Sequence, residues 1–359
     1  GSVRVWDLTD DTVRATLSGH SDPVRAVACT AIGDRPHAIS GGDDGSVRVW
    51  DLTDDTVRAT LSGHSDPVRA VACTAIDDRP HAISGGDDGS VRVWDLADGT
   101  VRATLSGHSD PVRAVACTAI DDRPHAISGG DDGSVRVWDL TDGTVRATLA
   151  HPGVRIIACK NITDRPYAII GDAHGSVRVW DLTDGTVQAA WTERTHWNTS
   201  HVVACTSIDD RPHAITVSDD HSVRVWDLVR GAARYTLAIR SPWARVAACT
   251  SIDDRPHAIM GGYNGSIRVW DLANGTVHAA FAAHNGPVRV VACTSIDNRP
   301  YAITGSDGTI YVWDLSLLRI VETIALPLPA DAVAASGHDI VIGMRNEVLV
   351  VNMRHLKRP

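Results

Sequence analysis

A Trp-Asp pair recurs along this sequence at a nearly constant spacing. The pairs begin at Trp6, Trp50, Trp94, Trp138, Trp180, Trp226, Trp270 and Trp313, so the steps are 44, 44, 44, 42, 46, 44 and 43 residues. A fixed period of this length indicates a tandem-repeat architecture in which each repeat packs on the next. A weaker copy, NEVLVVNM at residues 346–353, carries Val351 and Asn352 where the pair would fall. The repeat therefore extends through nearly the whole chain.

One repeat contains four short strands. Residues 54–95 read DDTVRATLSGHSDPVRAVACTAIDDRPHAISGGDDGSVRVWD, in which the turn-forming stretches SGHSDP, DDRP and GGDDGS separate runs rich in Val, Ala, Ile and Thr. Alternation in VRVW places Val91 and Val93 on one face of a strand and Arg92 and Trp94 on the other. An antiparallel sheet with two apolar faces is unstable alone. The repeats are therefore expected to stack face to face around an axis.

The motifs Gly-His, Ser-Gly-Gly-Asp-Asp-Gly and Val-Arg-Val-Trp-Asp, in this order, resemble the WD40 repeat over residues 1–353. The resemblance implies an all-β WD40 β-propeller whose Trp-Asp strand is third in each four-stranded blade. We expect a single domain over residues 1–359 with eight blades; seven blades, with everything after about residue 318 outside them, is the alternative. The early copies are nearly identical to one another, and in this they resemble recently duplicated bacterial WD40 arrays.

Both ends of the chain hold incomplete repeats. Residues 1–18 supply a third and a fourth strand, residues 22–325 supply seven complete units, and residues 330–353 supply three strands. The total of 33 strands is one more than eight blades require. We expect residues 12–18 to add the outer strand to the sheet made by residues 330–353, closing the ring without a free edge. Residues 1–8 would then compete with residues 346–353 for the third strand.

The resemblance also implies a buried hydrogen-bonded tetrad in each blade. Its members are the His of Gly-His, a Ser or Thr of the second strand, the Asp of the following turn, and the Trp. The matching sets are His20, Ser40, Asp44 and Trp50; His64, Ser84, Asp88 and Trp94; His108, Ser128, Asp132 and Trp138; His196, Thr216, Asp220 and Trp226; and His284, Thr304, Asp307 and Trp313. Two repeats break the pattern, with Ile170 and His174 replacing Ser and Asp before Trp180, and with Arg240, Met260 and Asn264 replacing His, Ser and Asp before Trp270.

A Ser, a His and an Asp within reach of one another also constitute a hydrolase motif. Five copies, each with a Trp bound to the Ser, instead indicate a structural network. Calcium-binding β-rolls repeat every nine residues or so, far below this period. Glu193, His196 and His201 could form a metal site, but His196 is already assigned to a tetrad. We therefore predict no catalytic residue, no metal and no cofactor.

Partner contacts in the family lie on the upper face, beside the start of each first strand and the turn before the tetrad Asp. Three near-identical repeats place Pro23, Arg25 and Asp43, then Pro67, Arg69 and Asp87, then Pro111, Arg113 and Asp131 at these positions. The later repeats place there Gly153, Arg155 and Ala173; Thr199, His201 and Asp219; Trp243, Arg245 and Tyr263; and Pro287, Arg289 and Ser306. Mutual neutralisation of the arginines and aspartates is favoured over an anion site.

Aromatic residues gather in only one sector of this face. Trp197 and Trp243 replace the Ser and Pro of the duplicated repeats, and exposed aromatic side chains beside an arginine are typical of interface hot spots. The partner-binding residues are therefore predicted to be Trp197, His201, Trp243, Arg245 and Tyr263, with Arg155. On the opposite, lower face, the histidines of the DRPH turns are expected to be solvated; these are His37, His81, His125, His213 and His257, with Tyr167 and Tyr301 as substitutes.

Composition narrows the classes of partner. A net charge of −10 argues against nucleic acid, and Arg319, Glu322 and Asp331 interrupt the most apolar late segment, which argues against a membrane span. One cysteine per repeat, in the motif Ala-Cys-Thr or Ala-Cys-Lys, is expected to be a buried free thiol, which suits a reducing cytoplasm.

These observations favour a non-catalytic scaffold or sensor module, monomeric as an isolated ring, that binds a protein or peptide within a larger bacterial regulatory protein. The alternatives are a lectin-like or small-ligand-binding propeller and, less favoured, a propeller enzyme. An enzyme would need one unique cluster of acid–base or metal-binding residues, and the sequence contains no such cluster.

Overall fold

A computed structural model describes residues 2–7, 12–54, 56–151, 153–162, 165–172, 176–192, 200–209, 211–218, 222–230, 232–238, 244–326, 328–336, 339–344 and 347–352. These residues form 33 β-strands. The first two are β1 (Ser2–Asp7) and β2 (Thr12–Ser18). In the part of the chain covered by these ranges, no helix is long and apolar enough to cross a membrane.

The next 28 strands form seven four-stranded antiparallel sheets, each built from four consecutive strands. We call them blades I to VII. Blade I contains β3 (Val24–Ile32), β4 (Arg35–Gly42), β5 (Ser46–Asp51) and β6 (Thr56–Ser62). Blade II contains β7 (Val68–Ile76), β8 (Arg79–Gly86), β9 (Val91–Asp95) and β10 (Thr100–Leu105). Blade III contains β11 (Val112–Ile120), β12 (Arg123–Gly130), β13 (Ser134–Asp139) and β14 (Val145–Ala150).

The later blades keep the same order of strands. Blade IV contains β15 (Val154–Ile162), β16 (Arg165–Asp172), β17 (Ser176–Asp181) and β18 (Thr186–Thr192). Blade V contains β19 (Ser200–Ile208), β20 (Arg211–Ser218), β21 (Ser222–Asp227) and β22 (Ala232–Ala238). Blade VI contains β23 (Ala244–Ile252), β24 (Arg255–Gly262), β25 (Ser266–Asp271) and β26 (Thr276–Ala282). Blade VII contains β27 (Val290–Ile296), β28 (Arg299–Ser306), β29 (Thr309–Asp314) and β30 (Arg319–Ala325).

The last three strands join the first two in one sheet, the terminal sheet. They are β31 (Ala332–Ser336), β32 (Asp339–Met344) and β33 (Glu347–Asn352). The order is β2-β1-β33-β32-β31, with β2 at one edge. Strands β1 and β33 are both third strands of their repeats and run in the same direction, so they pair in parallel, from Val3 opposite Val348 to Asp7 opposite Asn352. The sheet therefore accommodates both strands, and the expected competition between them is wrong.

The prediction of eight four-stranded blades is also wrong. The structure has seven four-stranded blades, which is the number given by the alternative, together with the five-stranded terminal sheet. The alternative was wrong about the residues after 318, because β30 completes blade VII and β31–β33 belong to the terminal sheet. The extra strand arises because each end of the chain contributes a third strand.

Contacts between strands divide the chain into two compact units. The first comprises Gly1–Pro152 with Ala330–Pro359, and the second Gly153–Pro329. Within the first unit, Val47 and Leu61 of blade I pack with Val68, Trp94 and Leu96 of blade II in one buried cluster. Blades II and III share a matching cluster. In the second unit, clusters of the same kind join blades V and VI and blades VI and VII. Apolar burial of this kind is the main favourable term in folding.

Two turns in each blade define its upper and lower edges. The upper edge of a blade is the end at the turn between its second and third strands, and the lower edge carries the turn between its first and second strands. Asp77 and Asp78 form that lower turn in blade II with φ of 51° and 58°, and Asp253 and Asp254 do so in blade VI with φ of 48° and 58°. Aspartate tolerates this left-handed conformation better than most residues. In blades II and VI the lower edge therefore presents a pair of carboxylates.

Candidate functional site

The structure brings the predicted tetrads together in blades I to III. In blade I, His20 Nδ1 donates to the carboxylate of Asp44 at 2.9 and 3.0 Å. The other ring nitrogen, Nε2, then accepts from the Ser40 hydroxyl at 2.7 Å, and the Ser40 oxygen accepts from Trp50 Nε1 at 2.8 Å. Blades II and III repeat these contacts at 2.7–3.1 Å. Each tetrad is a closed polar network beneath the upper edge.

Burial keeps the tetrad histidines neutral. It lowers the pKa of His20, although hydrogen bonding to Asp44 acts in the opposite direction. The pKa values of His64 and His108 are lowered for the same reason. Burial disfavours the charge of Asp44, but hydrogen bonds from Ser46 and His20 outweigh it, and the pKa of this carboxyl is lowered. The ring is therefore a neutral donor that bridges a carboxylate and a hydroxyl.

Among the residues that the structure describes, no complete tetrad is present in blades IV to VI. In blade V, Trp226 Nε1 donates to Thr216 Oγ1 at 2.9 Å, whereas His196 and Asp220 lie outside the described residues. Ile170 and Met260 are buried at the serine position of blades IV and VI. As a result, Trp180 Nε1 and Trp270 Nε1 are buried without a hydrogen-bond partner.

Blade VII contradicts part of the predicted tetrad. His284 Nε2 bonds to Thr304 at 2.9 Å and Trp313 Nε1 donates to the same hydroxyl, but Asp307 instead pairs with Arg289, at 2.7 Å. The turn before Trp313 is one residue shorter than in blade I, which moves Asp307 to the position of Asp43. The tetrad assignment missed a signal in the sequence. Asp307 follows Arg289 by 18 residues, and Asp43 follows Arg25 by the same number.

Two consequences follow from this shift in blade VII. Ser306, which the sequence placed at the upper rim, is instead buried, and its hydroxyl has no hydrogen-bond partner. His284 Nδ1 likewise has none, and burial alone lowers the pKa of His284 to about 4.

The upper rim of blades I to III is a continuous chain of ion pairs. Arg25 Nη2 contacts Asp43 at 2.5 Å, and Arg69 bridges Asp43 at 2.9 Å and Asp87 at 2.5 Å. Arg113 then bridges Asp87 at 2.9 Å and Asp131 at 2.6 Å. Arg69 and Arg113 thus each link the aspartate of their own blade to that of the preceding blade. Because these groups are partly solvated, the pairs contribute little stability individually. Their charges are nonetheless neutralised within the rim.

The predicted partner-binding residues fall in the second unit. Trp197 and Trp243 lie outside the described residues, while His201 lies in β19 and Arg245 in β23. Tyr263 is 44% exposed in the upper turn of blade VI, at the position that Asp43, Asp87 and Asp131 occupy in blades I to III. Arg155 is exposed in β15 of blade IV. The upper edge of blade VI therefore presents an aromatic ring where the duplicated blades present an ion-paired carboxylate.

The lower turns overturn another expectation. His37, His81, His125 and His213 are fully buried rather than solvated, and His257 is 2% exposed. Each Nδ1 donates to the carbonyl oxygen of the arginine two residues earlier, at 2.8–2.9 Å. The strand register sets each histidine opposite the aspartate of a Trp-Asp pair. Sequence reasoning missed this because DRPH has the composition of an exposed turn.

In blades I to VII, the aspartate of the Trp-Asp pair organises the lower edge. In blade I, Asp51 Oδ1 accepts the backbone N–H groups of Thr53 and Asp54 at 2.8 and 3.2 Å. Its other oxygen, Oδ2, lies 3.1 Å from Arg35 and 3.4 Å from His37. The carboxylate therefore caps the turn between the third and fourth strands while it pairs with the arginine of DRPH.

Burial keeps the thiols of Cys73 and Cys293 protonated at neutral pH. None of the six described cysteines forms a disulfide, and each is partly buried. Burial raises the pKa of Cys293 to about 12 and that of Cys73 further. Among the residues that the structure describes, no group of three or more His, Cys, Asp or Glu side chains is arranged to hold a metal ion.

Removing the indole donor tests the tetrad. Trp94→Phe leaves Ser84 without the hydrogen bond that Trp94 Nε1 donates at 2.8 Å, whereas Trp180 Nε1 has no partner to lose. We expect Trp94→Phe to lower the free energy of unfolding by about 1–3 kcal/mol more than Trp180→Phe does. Urea denaturation followed by circular dichroism measures both values. Equal losses would show that the indole bond contributes nothing.

Acid sensitivity follows from the buried histidines. The unfolded chain takes up protons near the ordinary histidine pKa of 6.5, whereas the lowered pKa values of His20, His64, His108 and His284 keep the folded state neutral to lower pH. The stability from these groups is therefore complete above about pH 6.5 and declines as the pH falls below it. We expect the urea midpoint to decrease steadily from pH 7 to pH 5. A constant midpoint over this range would contradict the assignment.

Comparison with known proteins agrees with the geometry. The family model described as WD40, "WD domain, G-beta repeat", matches residues 11–51, 55–95, 99–139, 191–227 and 275–314, more than half of the chain. The Trp-Asp pairs at Trp180 and Trp270, whose indole nitrogens lack partners, fall outside these matches. No curated protein matches the chain.

Solved structures extend the likeness to nearly the whole chain. The crystal structure of the computationally designed Ika8 protein is similar to it, with a TM-score of 0.76 and 22% identity over 98% of this chain and 100% of that one. At this identity the likeness shows the fold alone. The matched repeats and the four-stranded blades together establish that the chain belongs to the WD40 family.

Proposed function

We propose that this protein is a non-catalytic scaffold or sensor module that binds a protein or peptide on the upper edge of blades V and VI. The observation that carries the proposal is the exposure of Tyr263, at a position where blades I to III hold an ion-paired aspartate. WD40 propellers commonly serve as protein-interaction scaffolds, so a binding function agrees with the family.

The difference between the blades supports this location. Along the rim of blades I to III, the described carboxylates already bind arginines of the same chain. A partner that binds one of these carboxylates or arginines would have to break an existing ion pair. Tyr263 offers an uncharged ring with one polar group, and burying such a ring against a partner is strongly favourable. The sequence gathers Trp197, His201, Trp243 and Arg245 in the same sector, with Arg155 in the preceding repeat. An arginine can stack on aromatic rings or bind a carboxylate of the partner.

The cellular setting is part of the proposal. Near-identical repeats are similar to bacterial WD40 arrays, and thiols whose pKa is raised by burial are compatible with the reducing cytoplasm. We propose that the module works in the cytoplasm as part of a larger bacterial regulatory protein.

A triple substitution tests the location. Trp197→Ser, Trp243→Pro and Tyr263→Asp together restore the residues of the duplicated repeats. We expect binding of native partners, captured first with the parent protein and then purified, to weaken at least tenfold, because hot-spot residues each contribute about 2 kcal/mol or more. The matched control is Val145→Ser, which removes an equally exposed apolar residue, 42% exposed, from the fourth strand of blade III. This control should bind like the parent.

Two outcomes would contradict the proposal. If the triple variant retains the parent affinity while circular dichroism shows it folded, the binding surface lies elsewhere. If a glycan array binds the parent and the captured proteins compete only through their glycans, the lectin-like alternative is correct.

A further inference from the structure

An arginine of the fourth strand is held by two acceptors at the lower edge of blades II and V. In blade II, Arg102 Nη2 lies 3.3 Å from the carboxylate of Asp77, and Nη1 lies 3.4 Å from His81 Nε2. In blade V, Arg234 contacts Asp209 at 2.8 Å and His213 Nε2 at 3.4 Å. We call each pair of acceptors, the aspartate of the lower turn and the buried histidine, a lower clamp. Blade III retains the carboxylate contact, from Arg146 to Asp121 at 3.0 Å.

The local chemistry makes both members of a clamp acceptors. Each histidine donates through Nδ1 to a backbone carbonyl, so the lone pair of Nε2 is directed at the fourth strand. Burial lowers the pKa of His213 and of His257, so these rings are neutral at neutral pH. The left-handed turn projects the aspartate beside the same strand. A planar guanidinium, with several N–H groups at fixed angles, can bind both acceptors at once.

Blade VI has both acceptors but not the arginine. His257 and Asp253 occupy the clamp positions, while His278 replaces the arginine of the fourth strand. His257 Nε2 is buried without a hydrogen-bond partner, and its ring lies 5.0 Å from that of His278 in an edge-on arrangement. Asp253 and its neighbour Asp254 are exposed, and within the part of the chain that the structure describes neither makes an ion pair.

The other described blades lack this combination. Blade I has Gly33 in place of the turn aspartate, and its Arg58 donates instead to the Ala97 carbonyl. Blades IV and VII have a tyrosine in place of the histidine, Tyr167 and Tyr301. Blade VI is therefore the one lower edge, among the residues described, that combines a complete pair of acceptors with no arginine of its own.

Two polar grooves flank the lower turn of blade VI. One, of about 580 Å³, runs towards blade VII and is lined by Asp253, Asp254, Ser295 and Asn298. The other, of about 610 Å³, runs towards blade V and is lined by Ser207, Ser251 and Asp254. Hydroxyl and amide groups in these grooves can bind an extended backbone. Arg299 and Arg255 also line these grooves, but each pairs with the Trp-Asp carboxylate of its own blade, Asp314 at 3.8 Å and Asp271 at 3.1 Å. With two carboxylates that lack ion pairs between the grooves, and a chain of net charge −10, the surface is complementary to a cationic segment.

We propose that the lower edge of blade VI binds an arginine side chain of a partner protein, whose guanidinium takes the place that Arg102 and Arg234 occupy in their own blades. The ring of His278, which lies edge-on to that of His257, has to turn away to admit the guanidinium. Asp253 and His257 then accept its N–H groups, and the ring of His278 stacks on its plane. A lysine ammonium is a compact charge that does not reproduce the planar, two-acceptor geometry. A metal ion is disfavoured because these side chains are not arranged as a metal site. This surface is distinct from the upper edge assigned above to the main partner.

A peptide with one arginine flanked by glycine and serine, carrying a fluorophore, is the first probe. Matched peptides replace the arginine with citrulline, which has the same shape without the charge, or with lysine. We expect the arginine peptide to bind at least tenfold more tightly than either, as measured by fluorescence anisotropy. It should also shift the imidazole NMR signals of His257 and His278. Equal binding of the arginine and citrulline peptides would overturn the proposal.

Exchanging residues between blades provides the sharper test. His278→Arg supplies the clamp of blade VI with an arginine of the same chain, and should abolish peptide binding without loss of stability. Arg102→His creates in blade II the arrangement of blade VI, because His81 and Asp77 are already present, and should raise the number of bound peptides from one to two. Unchanged binding by a folded His278→Arg protein would overturn the proposal, and so would an unchanged stoichiometry for Arg102→His.

Two controls separate this site from its alternatives. The triple variant of the upper edge should bind the arginine peptide as tightly as the parent does. If the proposed function at the upper edge is disproved, the arginine site at the lower edge is therefore unaffected. Zn²⁺ alone is titrated against the same imidazole signals. If Zn²⁺ shifts His257 and His278 while the arginine peptide does not, the site is a metal site and the proposal is wrong.

Discussion

Every blade of this protein is a sheet with two apolar faces, and both must be covered by neighbours. Within each unit, buried clusters that join adjacent blades cover such faces, and they contain the same Val, Leu, Ile and Trp positions from one repeat to the next. Because the faces are used for stacking, the buried histidines and aspartates lie near the two edges. Hydrogen-bond networks there must satisfy the buried donors and acceptors. The tetrads do so above and the buried histidines below.

Much of this could be predicted from the sequence. The four strands of each repeat follow from its turn residues, whereas the tetrads of blades I to III were identified through the resemblance to the WD40 repeat, carried over position by position. The assignment failed in blade VII because its upper turn is one residue shorter and has a single aspartate, which takes the rim position and pairs with Arg289. The 18-residue separation that Arg289 and Asp307 share with Arg25 and Asp43 was the signal that the assignment overlooked. The lower histidines were misassigned because burial at a turn depends on strand register and on the neighbouring Trp-Asp carboxylate.

The terminal sheet illustrates a different limit. Counting gave 33 strands, yet the count alone could not show that two third strands would pair side by side. That outcome depends on strand direction, since equivalent strands of two repeats run the same way and pair in parallel. The upper aromatic sector remains a prediction from sequence, except that the structure places an exposed Tyr263 in it.

Both proposed binding surfaces follow from one principle. Where repeats are duplicated, an edge residue is bound by its own chain, as Asp87 is by Arg69 and Asp77 is by Arg102. Where a repeat diverges, one member of such an ion pair is replaced. Either the remaining member is then open to a group from another protein, or an aromatic residue stands where the charged residue was. The two replacements in blade VI, Tyr263 above and His278 below, are of this kind. Recognition is thus expected where the repeat departs from its own consensus.

Edge networks, and not stacking alone, set the stability of each blade. Native-state hydrogen exchange measures this directly by comparing residues 126–139 of blade III, which has a complete tetrad, with the equivalent residues 258–271 of blade VI, where Trp270 Nε1 has no partner. We expect exchange in blade III to be at least tenfold slower, since each lost buried hydrogen bond costs about 1 kcal/mol or more. Equal protection of the two segments, or stronger protection of blade VI, would contradict this account.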